Sequence, residues 1–140
     1  MRYLIDTNII VYIISDPDSL DNDVKAIISD PDNTLYTSSE SAKELVIAYR
    51  NKGLLTKRWG KAEDLLNSIE DEYGIYIRPI NREHIHTYAR LSLNTRQDHR
   101  DPSDHVIISH AITEHMPLIS SDTRFSYYRA QGLDFIYNKR

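Results

Sequence analysis

The sequence predicts an α/β fold in which helices cover both faces of a mostly parallel sheet. Short apolar runs of strand length alternate along the chain with longer segments that have helical patterning. This alternation is typical of parallel strands joined by crossover helices. A length of 140 residues is sufficient for one domain with a core of its own, so residues 1–140 are predicted to form a single domain.

The first half of the chain is predicted to contain two strands and three helices. A strand over 3–5 is followed by a short apolar helix over 7–14, a turn at 16–18 and a helix over 23–29. A second strand over 33–36 ends at three consecutive hydroxyl residues. Thr37 and Glu40 have the spacing of a capping box, which predicts a helix from about 38 to 51 that ends at Gly53.

The second half continues the alternation. It is predicted to contain strands over 75–77, 118–120 and 133–137, and helices over 57–73, 82–93 and 102–114. The last of these helices has a clear beginning, with Asp101 as the N-cap and Pro102 in the first helical position. Asp104 follows in the first turn, where the helix dipole favours a carboxylate.

Composition excludes several classes of protein. The chain has no cysteine, which rules out disulfides, thiolate metal sites and cysteine nucleophiles. No apolar segment approaches the ~20 residues of a membrane span, and Asp6 comes too early for a signal peptide, so a cytoplasmic protein without membrane contact is expected. The net charge of −4 argues against a nucleic-acid binder, although two divalent cations would cancel that charge.

Four acidic residues stand where hydrophobic segments break. Asp6 and Asp122 each follow a predicted strand, Asp104 opens a buried helix, and Glu44 lies among apolar residues. Ligand sites in open α/β sheets lie beyond the carboxyl ends of the strands, and clustered carboxylates hold protons or cations. Oxygen ligands favour Mg²⁺ or Mn²⁺ over zinc or copper. A hard-cation site is therefore predicted, with helix capping as the alternative role of Asp6, Asp101 and Asp104.

Other sites do not fit the residue spacing. His105, His110 and His115 recur every five residues, so they point apart on a helix and cannot share one metal. The acidic stretch 16–23 lacks the glycine and the glutamate of a calcium loop. A haloacid-dehalogenase-type phosphatase would need a second aspartate where Asn8 stands, and a receiver domain would need a late lysine.

Four motifs, in order along the chain, resemble those of the PIN domain and specifically of the VapC-like toxins of bacterial toxin–antitoxin pairs. They read Tyr-Leu-Ile-Asp-Thr-Asn at 3–8, Ser-Ala-Lys-Glu-Leu at 41–45, Asp-Pro-Ser-Asp-His-Val-Ile-Ile-Ser-His-Ala at 101–111 and Leu-Ile-Ser-Ser-Asp-Thr-Arg-Phe at 118–125. The resemblance covers essentially the whole chain. It implies a three-layer α/β/α fold with a mostly parallel five-stranded sheet, and a metal-dependent endoribonuclease that is occluded by a cognate antitoxin.

The resemblance also implies roles for particular residues. Catalytic and metal-binding positions fall on Asp6, Glu44, Asp104 and Asp122, with supporting positions at Asn8, Ser120 and Asp101. Mg²⁺ or Mn²⁺ would activate the water that hydrolyses the RNA. One departure is His105, which stands where the family usually has an arginine. It leaves the metal ligands intact and concerns contacts with the substrate.

Assembly and an alternative function complete the expectations. VapC-like proteins commonly form homodimers, and the amphipathic segments 19–28 and 60–69 offer apolar faces for such an interface. The alternative function is a catalytically silent PIN-like interaction module, in which the carboxylates act as caps and hydrogen-bond acceptors. The presence of all four acidic residues favours the enzyme.

Overall fold

A parallel sheet forms the centre of the computed structural model, which describes residues 1–52 and 58–139, without the side chain of residue 52. In these ranges five strands pair in the order β3-β2-β1-β4-β5, and every pairing is parallel. The strands are β1 (Arg2–Ile5), β2 (Thr34–Ser38), β3 (Ile75–Arg78), β4 (Leu118–Ser120) and β5 (Phe135–Tyr137). The predicted α/β fold with a mostly parallel five-stranded sheet is confirmed.

Helices connect the strands along the chain. The α-helices are α1 (Thr7–Ser15), α2 (Asn22–Ser29), α3 (Ser39–Lys52), α4 (Ala62–Asp71), α5 (Arg82–Arg90) and α6 (Pro102–Glu114). In the described ranges, 3₁₀ segments lie at Pro17–Ser19 and Thr123–Gln131. The bounds of α6 and β4 are those predicted from the sequence, since a proline-containing cap and a short apolar run announce them clearly.

The sheet separates two apolar clusters, because successive side chains of a strand point to opposite faces. Tyr3 and Ile5 of β1 belong to a cluster that includes Ile9 of α1 and apolar residues of α2, α3 and α4. Leu4 belongs to the other cluster, with Ile107 of α6 and residues of the second 3₁₀ segment. Helices therefore cover both faces, in the three layers that the resemblance implied.

The start of α3 differs from the prediction. The hydroxyl of Thr37 donates a hydrogen bond to the carbonyl of Ile5 (2.9 Å) in the neighbouring strand. Ser38 takes the capping place, and its Oγ accepts from the backbone N–H of Glu40 (3.1 Å). The predicted capping box of Thr37 and Glu40 is thus wrong, because β2 continues through Ser38. The predicted helix end at Gly53 lies outside the described residues.

Tertiary contacts also shorten two predicted helices. The helix predicted over 57–73 is α4, which begins only at Ala62 and ends at Asp71; residue 57 lies outside the described residues. Trp59 is buried in the core, and its carbonyl accepts from the hydroxyl of Tyr49 (2.7 Å). The helix predicted to reach residue 93 ends at Arg90, because the backbone N–H and carbonyl of Ser92 bond to the side chain of Gln131 instead.

The apolar faces predicted for dimer formation are used in part within the chain. Val24 of α2, and Leu65 and Ile69 of α4, are fully buried in the core cluster. Ile27, Ile28 and Leu66 of the same helices pack against that cluster but are only partly buried. The prediction that segments 19–28 and 60–69 contribute to a dimer interface therefore stays a prediction. None of the helices in the described ranges combines the length and the apolar character that crossing a bilayer requires.

Candidate metal centre

Asp6 lies at the carboxyl end of β1 and caps α1. Its Oδ1 accepts from the backbone N–H of Thr7 (2.8 Å), and its Oδ2 accepts from the hydroxyl of Ser120 (2.6 Å) at the end of β4. The residue is only 3% exposed. Burial, with the nearby charges of Asp104 and Glu44, raises the pKa of Asp6 to about 7 although Ser120 and Thr7 oppose the shift. The carboxyl is therefore poorly stabilised as an anion.

Glu44 reaches the same region from α3. Its Oε1 accepts from the hydroxyl of Thr7 (2.6 Å), so Thr7 joins Asp6 through its backbone and Glu44 through its side chain. Burial raises the pKa of Glu44, and the charges of Asp101 and Glu40 add to the effect. A cleft of about 340 Å³ opens beside this carboxylate and is lined by Thr7, Lys43, Glu44, Ile47, Ala48, Asn51 and Ser103.

Asp104 comes from the first turn of α6. Its Oδ2 lies 2.9 Å from Nε2 of His99, a buried residue in the loop before the helix. Burial, followed by the charges of Asp101, Glu44 and Asp122, raises the pKa of Asp104 to about 7. Asp101 itself accepts from the backbone N–H of Ser103 (2.9 Å) as the N-cap, so its predicted capping role is confirmed.

Asp122 follows β4 and is paired with Arg124. The guanidinium contacts both oxygens, with Nε 3.0 Å from Oδ1 and Nη2 2.7 Å from Oδ2. Burial acts to raise the pKa of Asp122, but the hydrogen bonds and charge of Arg124 outweigh it and hold the pKa below its usual range. The backbone N–H of Asp122 donates to the hydroxyl of Ser120 (3.1 Å), which places Ser120 between Asp6 and Asp122.

Tertiary structure brings these side chains to one edge of the sheet. Ser120 links Asp6 with Asp122, and Thr7 links Asp6 with Glu44. Ligand atoms of His99, Asp104 and Asp122 lie within 4.8 Å of one another. The reason is that β1 and β4 are parallel neighbours, so the residues after them meet.

The donor set fits a hard divalent cation. Burial, and after it the repulsion between neighbouring carboxylates, raises the pKa values of Asp6 and Asp104 to about 7, so a cation beside these groups would be favourable. In addition, the buried Oδ1 of Asn8, in the first turn of α1, has no hydrogen-bond partner in the described part of the chain. Carboxylate and amide oxygens are ligands that suit Mg²⁺ and Mn²⁺.

Sequence reasoning missed two residues of this region. Thr7 follows Asp6 directly, and its hydroxyl reaches Glu44 only because α3 packs against α1. His99 precedes Asp104 by five residues and lies outside any predicted helix. The proximity of His99 to the acidic motif along the chain was the one available signal, and it does not specify a contact.

A second group of ligand atoms lies between α5 and α6. Nε2 of His84 is 2.9 Å, and Nε2 of His110 is 2.7 Å, from the same Oε2 of Glu114, and Arg78 pairs with Oε1. The second distance does not have hydrogen-bond geometry, so neither ring nitrogen of His110 has a partner within the described ranges. Burial, with the neighbouring His84, lowers the pKa of His110 to about 4. Sequence spacing excluded a metal shared by His105, His110 and His115. It gave no indication that His84 lies beside His110 and Glu114, because only the fold brings α5 against α6.

The hydrogen bonds of His84 argue against a metal at this second group. Its Nδ1 accepts from the backbone N–H of Asn81 (3.0 Å) and completes the capping box of α5. The proton of a neutral ring must then be on Nε2, which donates it to Glu114. A metal on Nε2 of His84 would force the ring proton onto Nδ1, where it would face the backbone N–H of Asn81. In addition, Arg78 already neutralises the carboxylate of Glu114. Arg78, Glu114 and His84 therefore form a hydrogen-bonded ion pair, with His110 packed beside it.

Comparisons with known proteins agree with this architecture. The PIN domain profile matches residues 3–131. The fold is similar to VapBC2 from Rickettsia felis bound to a DNA fragment from their promoter, with a TM-score of 0.74 and 24% identity over 99% of this chain and 100% of that chain. It is also similar to VapBC-1 from nontypeable Haemophilus influenzae, with a TM-score of 0.68 and 22% identity over 98% of both chains. No curated protein matches the sequence significantly.

Proposed function

Since this chain belongs to the PIN domain family, we propose that it is a metal-dependent endoribonuclease and the toxin of a toxin–antitoxin pair. One observation carries the proposal: buried carboxylates from separate elements converge at one sheet edge, and two of them have pKa values raised to about 7. Burying carboxyl groups beside one another costs free energy of folding, and a protein that needed these residues only for folding would gain nothing from that cost.

Each polar residue has a definite part in the proposed mechanism. When bound, Mg²⁺ or Mn²⁺ supplies positive charge for the phosphodiester and lowers the pKa of the attacking water. Asp6, Asp104, Glu44 and Asp122 hold the cation, while Ser120 and Thr7 orient the carboxylates by donating to them. Asn8 offers its unpartnered amide oxygen to a water molecule or to the cation. The products carry 5′-phosphate and 3′-hydroxyl ends, and this chemistry takes place in the cytoplasm, where the RNA is.

The antitoxin is proposed to occupy the cleft beside Glu44. The similar structures from R. felis and H. influenzae are of VapBC proteins. Ile47 and Ala48 line this cleft as apolar side chains, and the carboxylate of Glu44 lines it as well. An arginine from the antitoxin would take the place of the cation through charge-assisted hydrogen bonds. Co-purification with the adjacent gene product and loss of RNA cleavage are expected; a complex that cleaves as fast as the free protein would contradict occlusion.

A homodimer remains part of the proposal. It rests on the family resemblance and on the apolar residues Ile27, Ile28 and Leu66, which the core buries only in part. Two-fold symmetric pairing is expected. Light scattering at micromolar concentration should give twice the mass of the 16.3 kDa chain, and a strictly monomeric mass would refute the dimer.

The decisive experiment measures RNA cleavage with matched variants. The purified protein should cleave structured RNA with Mn²⁺ or Mg²⁺ and stop when EDTA is added. Asp6→Asn should lose roughly 10²–10³-fold or more in rate, yet retain its circular dichroism spectrum. Asp32→Asn, which removes one charge at an exposed position, is the control and should match the parent. Equal rates for Asp6→Asn and the parent would show a contaminant or a different site.

Metal binding can be measured without RNA. Calorimetry should detect Mn²⁺ binding that Asp6→Asn and Asp104→Asn abolish and Asp32→Asn preserves. A cation that binds only the folded state at 100 times its Kd adds about 2.7 kcal/mol of stability. For a chain of this length the Tm should rise by roughly 8–10 °C. Unchanged binding in the two site variants would place the metal elsewhere.

A silent interaction module is the second candidate function, and one observation favours it. Asp6, Asp101 and Asp122 all serve as N-caps, each accepting a backbone N–H at a helix start. This capping provides a structural reason to keep three carboxylates. A protein that binds the antitoxin but neither binds Mn²⁺ nor cleaves RNA would establish the module and refute the nuclease.

A further inference from the structure

His99 is the histidine of the candidate metal centre, and the hydrogen bonds on its two ring nitrogens determine what it can do there. Nε2 lies 2.9 Å from Oδ2 of Asp104, and Nδ1 lies 3.0 Å from the hydroxyl of Tyr128. The imidazole side chain is 0% exposed. It therefore cannot touch the RNA, and any role must pass through a neighbour.

The direction of each hydrogen bond follows from Tyr128. The buried backbone N–H of Asn94 donates to the oxygen of this hydroxyl (3.0 Å). The buried hydroxyl proton also needs an acceptor, and in the described ranges Nδ1 of His99 lies within reach (3.0 Å), so the O–H of Tyr128 is assigned as the donor to Nδ1. A neutral ring that accepts at Nδ1 carries its proton on Nε2. That proton is donated to Oδ2 of Asp104.

We infer that His99 is a positioning residue that holds the carboxylate of Asp104 for the cation, and that Tyr128 fixes the tautomer which makes this possible. One oxygen of Asp104 is bound to Nε2–H, which sets the rotation of the carboxylate about its side-chain bond and hence where the other oxygen points. Partners behind a metal ligand act in this way, and their loss typically costs roughly 10–100-fold in metal affinity.

The rest of the loop is built to keep the imidazole in place. Nε2 of His105 donates to the backbone carbonyl of His99 (2.9 Å), and the two rings meet edge to face with centroids 4.8 Å apart. Phe125 packs on another side of the His99 ring, with centroids 5.5 Å apart. His105, which replaces the family's usual arginine, thus supports the loop that carries His99.

The competing role is that His99 is itself a metal ligand, because its ring lies within reach of Asp104 and Asp122. A ligand would need a bare Nε2, so its proton would move to Nδ1 and Tyr128 would have to accept it. The two roles therefore demand opposite tautomers in the metal-bound protein. This difference can be measured directly.

Nitrogen-15 NMR of the histidine rings reads the tautomer with and without saturating Mg²⁺, which is diamagnetic. We expect His99 to be the neutral Nε2–H form in both states, and Tyr128→Phe to give a mixture of tautomers. A shift to the Nδ1–H form when Mg²⁺ binds would make His99 a ligand and overturn the inference. A doubly protonated ring in the metal-free protein at neutral pH would overturn the assigned hydrogen-bond directions.

Mn²⁺ affinity, measured by calorimetry, gives the second readout. His99→Ala should weaken binding roughly 10–100-fold. In His99→Gln the amide reaches the position of Nε2 and still donates to Asp104, so its affinity should stay within about 3-fold of the parent. Tyr128→Phe should fall between these two. His86→Gln and Tyr127→Phe, at exposed positions, should bind like the parent.

Turnover separates positioning from RNA binding. If the proposed RNA cleavage is correct, His99→Ala should lower kcat with little change in KM, because the buried ring does not contact the substrate. The inference rests on the proposed metal site but not on RNA as substrate. Parent-like Mn²⁺ affinity in His99→Ala refutes this inference alone. A parent protein that binds no Mn²⁺ refutes the metal site and this inference together.

Discussion

Two clusters of ionisable side chains in this protein contrast sharply in charge balance. At the ends of β1 and β4, acidic side chains from four elements meet, and burial with mutual repulsion raises the pKa values of Asp6 and Asp104 to about 7. Between α5 and α6, Glu114 is held by Arg78 and faces two neutral histidines. The second cluster is neutral by itself.

This contrast teaches how a binding site differs from a structural network. Both clusters offer ligand atoms within 4.8 Å of one another, so proximity alone does not identify a metal site. The net charge of the cluster and the tautomers of its histidines decide whether a cation can bind. The cluster that is short of positive charge would gain stability from a cation, whereas a cation at the neutral cluster would have to displace Arg78 and disrupt the cap of α5.

The largest expected effect is on metal affinity and rate. Asp104→Asn should reduce cleavage roughly 10²–10³-fold or more and weaken Mn²⁺ binding strongly. Glu114→Gln should change both by less than about 3-fold, because no step uses that cluster. Calorimetry and initial rates measured on the two variants side by side test the contrast. If Glu114→Gln lost metal binding, the histidine cluster would be the metal site and the acidic cluster the structural network.

The next effect is the pH dependence of stability without metal. The folded state keeps protons on Asp6 that the unfolded chain releases near its ordinary pKa of 3.8. Between pH 4 and 7 the folded state thus binds more protons, so this group lowers the free energy of unfolding as pH rises. Asp6→Asn removes that cost and should be more stable than the parent by roughly 2–4 kcal/mol at pH 8.

Urea unfolding across this pH range measures the difference between the two proteins. The stability gain of Asp6→Asn should grow from pH 4 to 7 and shrink when saturating Mg²⁺ is added to the parent. A gain that does not change with pH would mean that Asp6 is an ordinary ionised carboxylate.

The histidine cluster should make the free energy of unfolding change with pH in the opposite direction. The pKa of His110 is about 4 in the folded chain against 6.5 for an ordinary histidine. The unfolded state therefore binds more protons between pH 4 and 6.5, and stability rises with pH in that window. Replacement by His110→Gln should remove roughly 1–3 kcal/mol of that rise.

The same urea series provides the measurement for His110→Gln, which should retain the falling contribution of Asp6. If its stability curve ran parallel to that of the parent, the low pKa of His110 would be refuted. Mn²⁺ affinity should be unaffected, which distinguishes this variant from those of the acidic cluster.

The smallest effect concerns Arg124, the positive group that partly balances the acidic cluster. Its bidentate pairing lowers the pKa of Asp122 and competes with a cation for the same oxygens. Arg124→Gln should therefore raise Mn²⁺ affinity by roughly 2–5-fold, the size of a partly exposed ion pair. Calorimetry at low ionic strength tests this, with the exposed Arg96→Gln as control. Weaker binding in Arg124→Gln would show that the arginine supports the site.

Local signals in the sequence predicted much of this protein. Alternating strand-length and helix-length segments indicated the parallel α/β sheet, and the Asp101-Pro102 cap placed α6 correctly. The same local logic failed where the backbone is held from a distance. Thr37 bonds across to β1 instead of capping α3, and Trp59 is drawn into the core before α4 begins.

For the candidate site, the acidic residues were predictable because each stands at the end of an apolar run or beside one. The order of the strands in the sheet could not be predicted from such local signals. Ser120 reaches Asp6, 114 residues away in sequence, because β1 and β4 are neighbours in the sheet. The second histidine group was not predictable either, because His84 and His110 belong to different helices that pack only in the fold.

The sequence by itself determined which residues could act, through residue type and local patterning: hard oxygen donors, no thiolate, and strands and helices that end at those donors. Only the tertiary structure decided which donors lie together, which partners the ring nitrogens of His99 meet, and which cluster is already neutral. The physical reason is that pKa shifts, hydrogen-bond direction and charge balance depend on burial and on neighbours in space. Residues far apart along the chain supply both the burial and the neighbours.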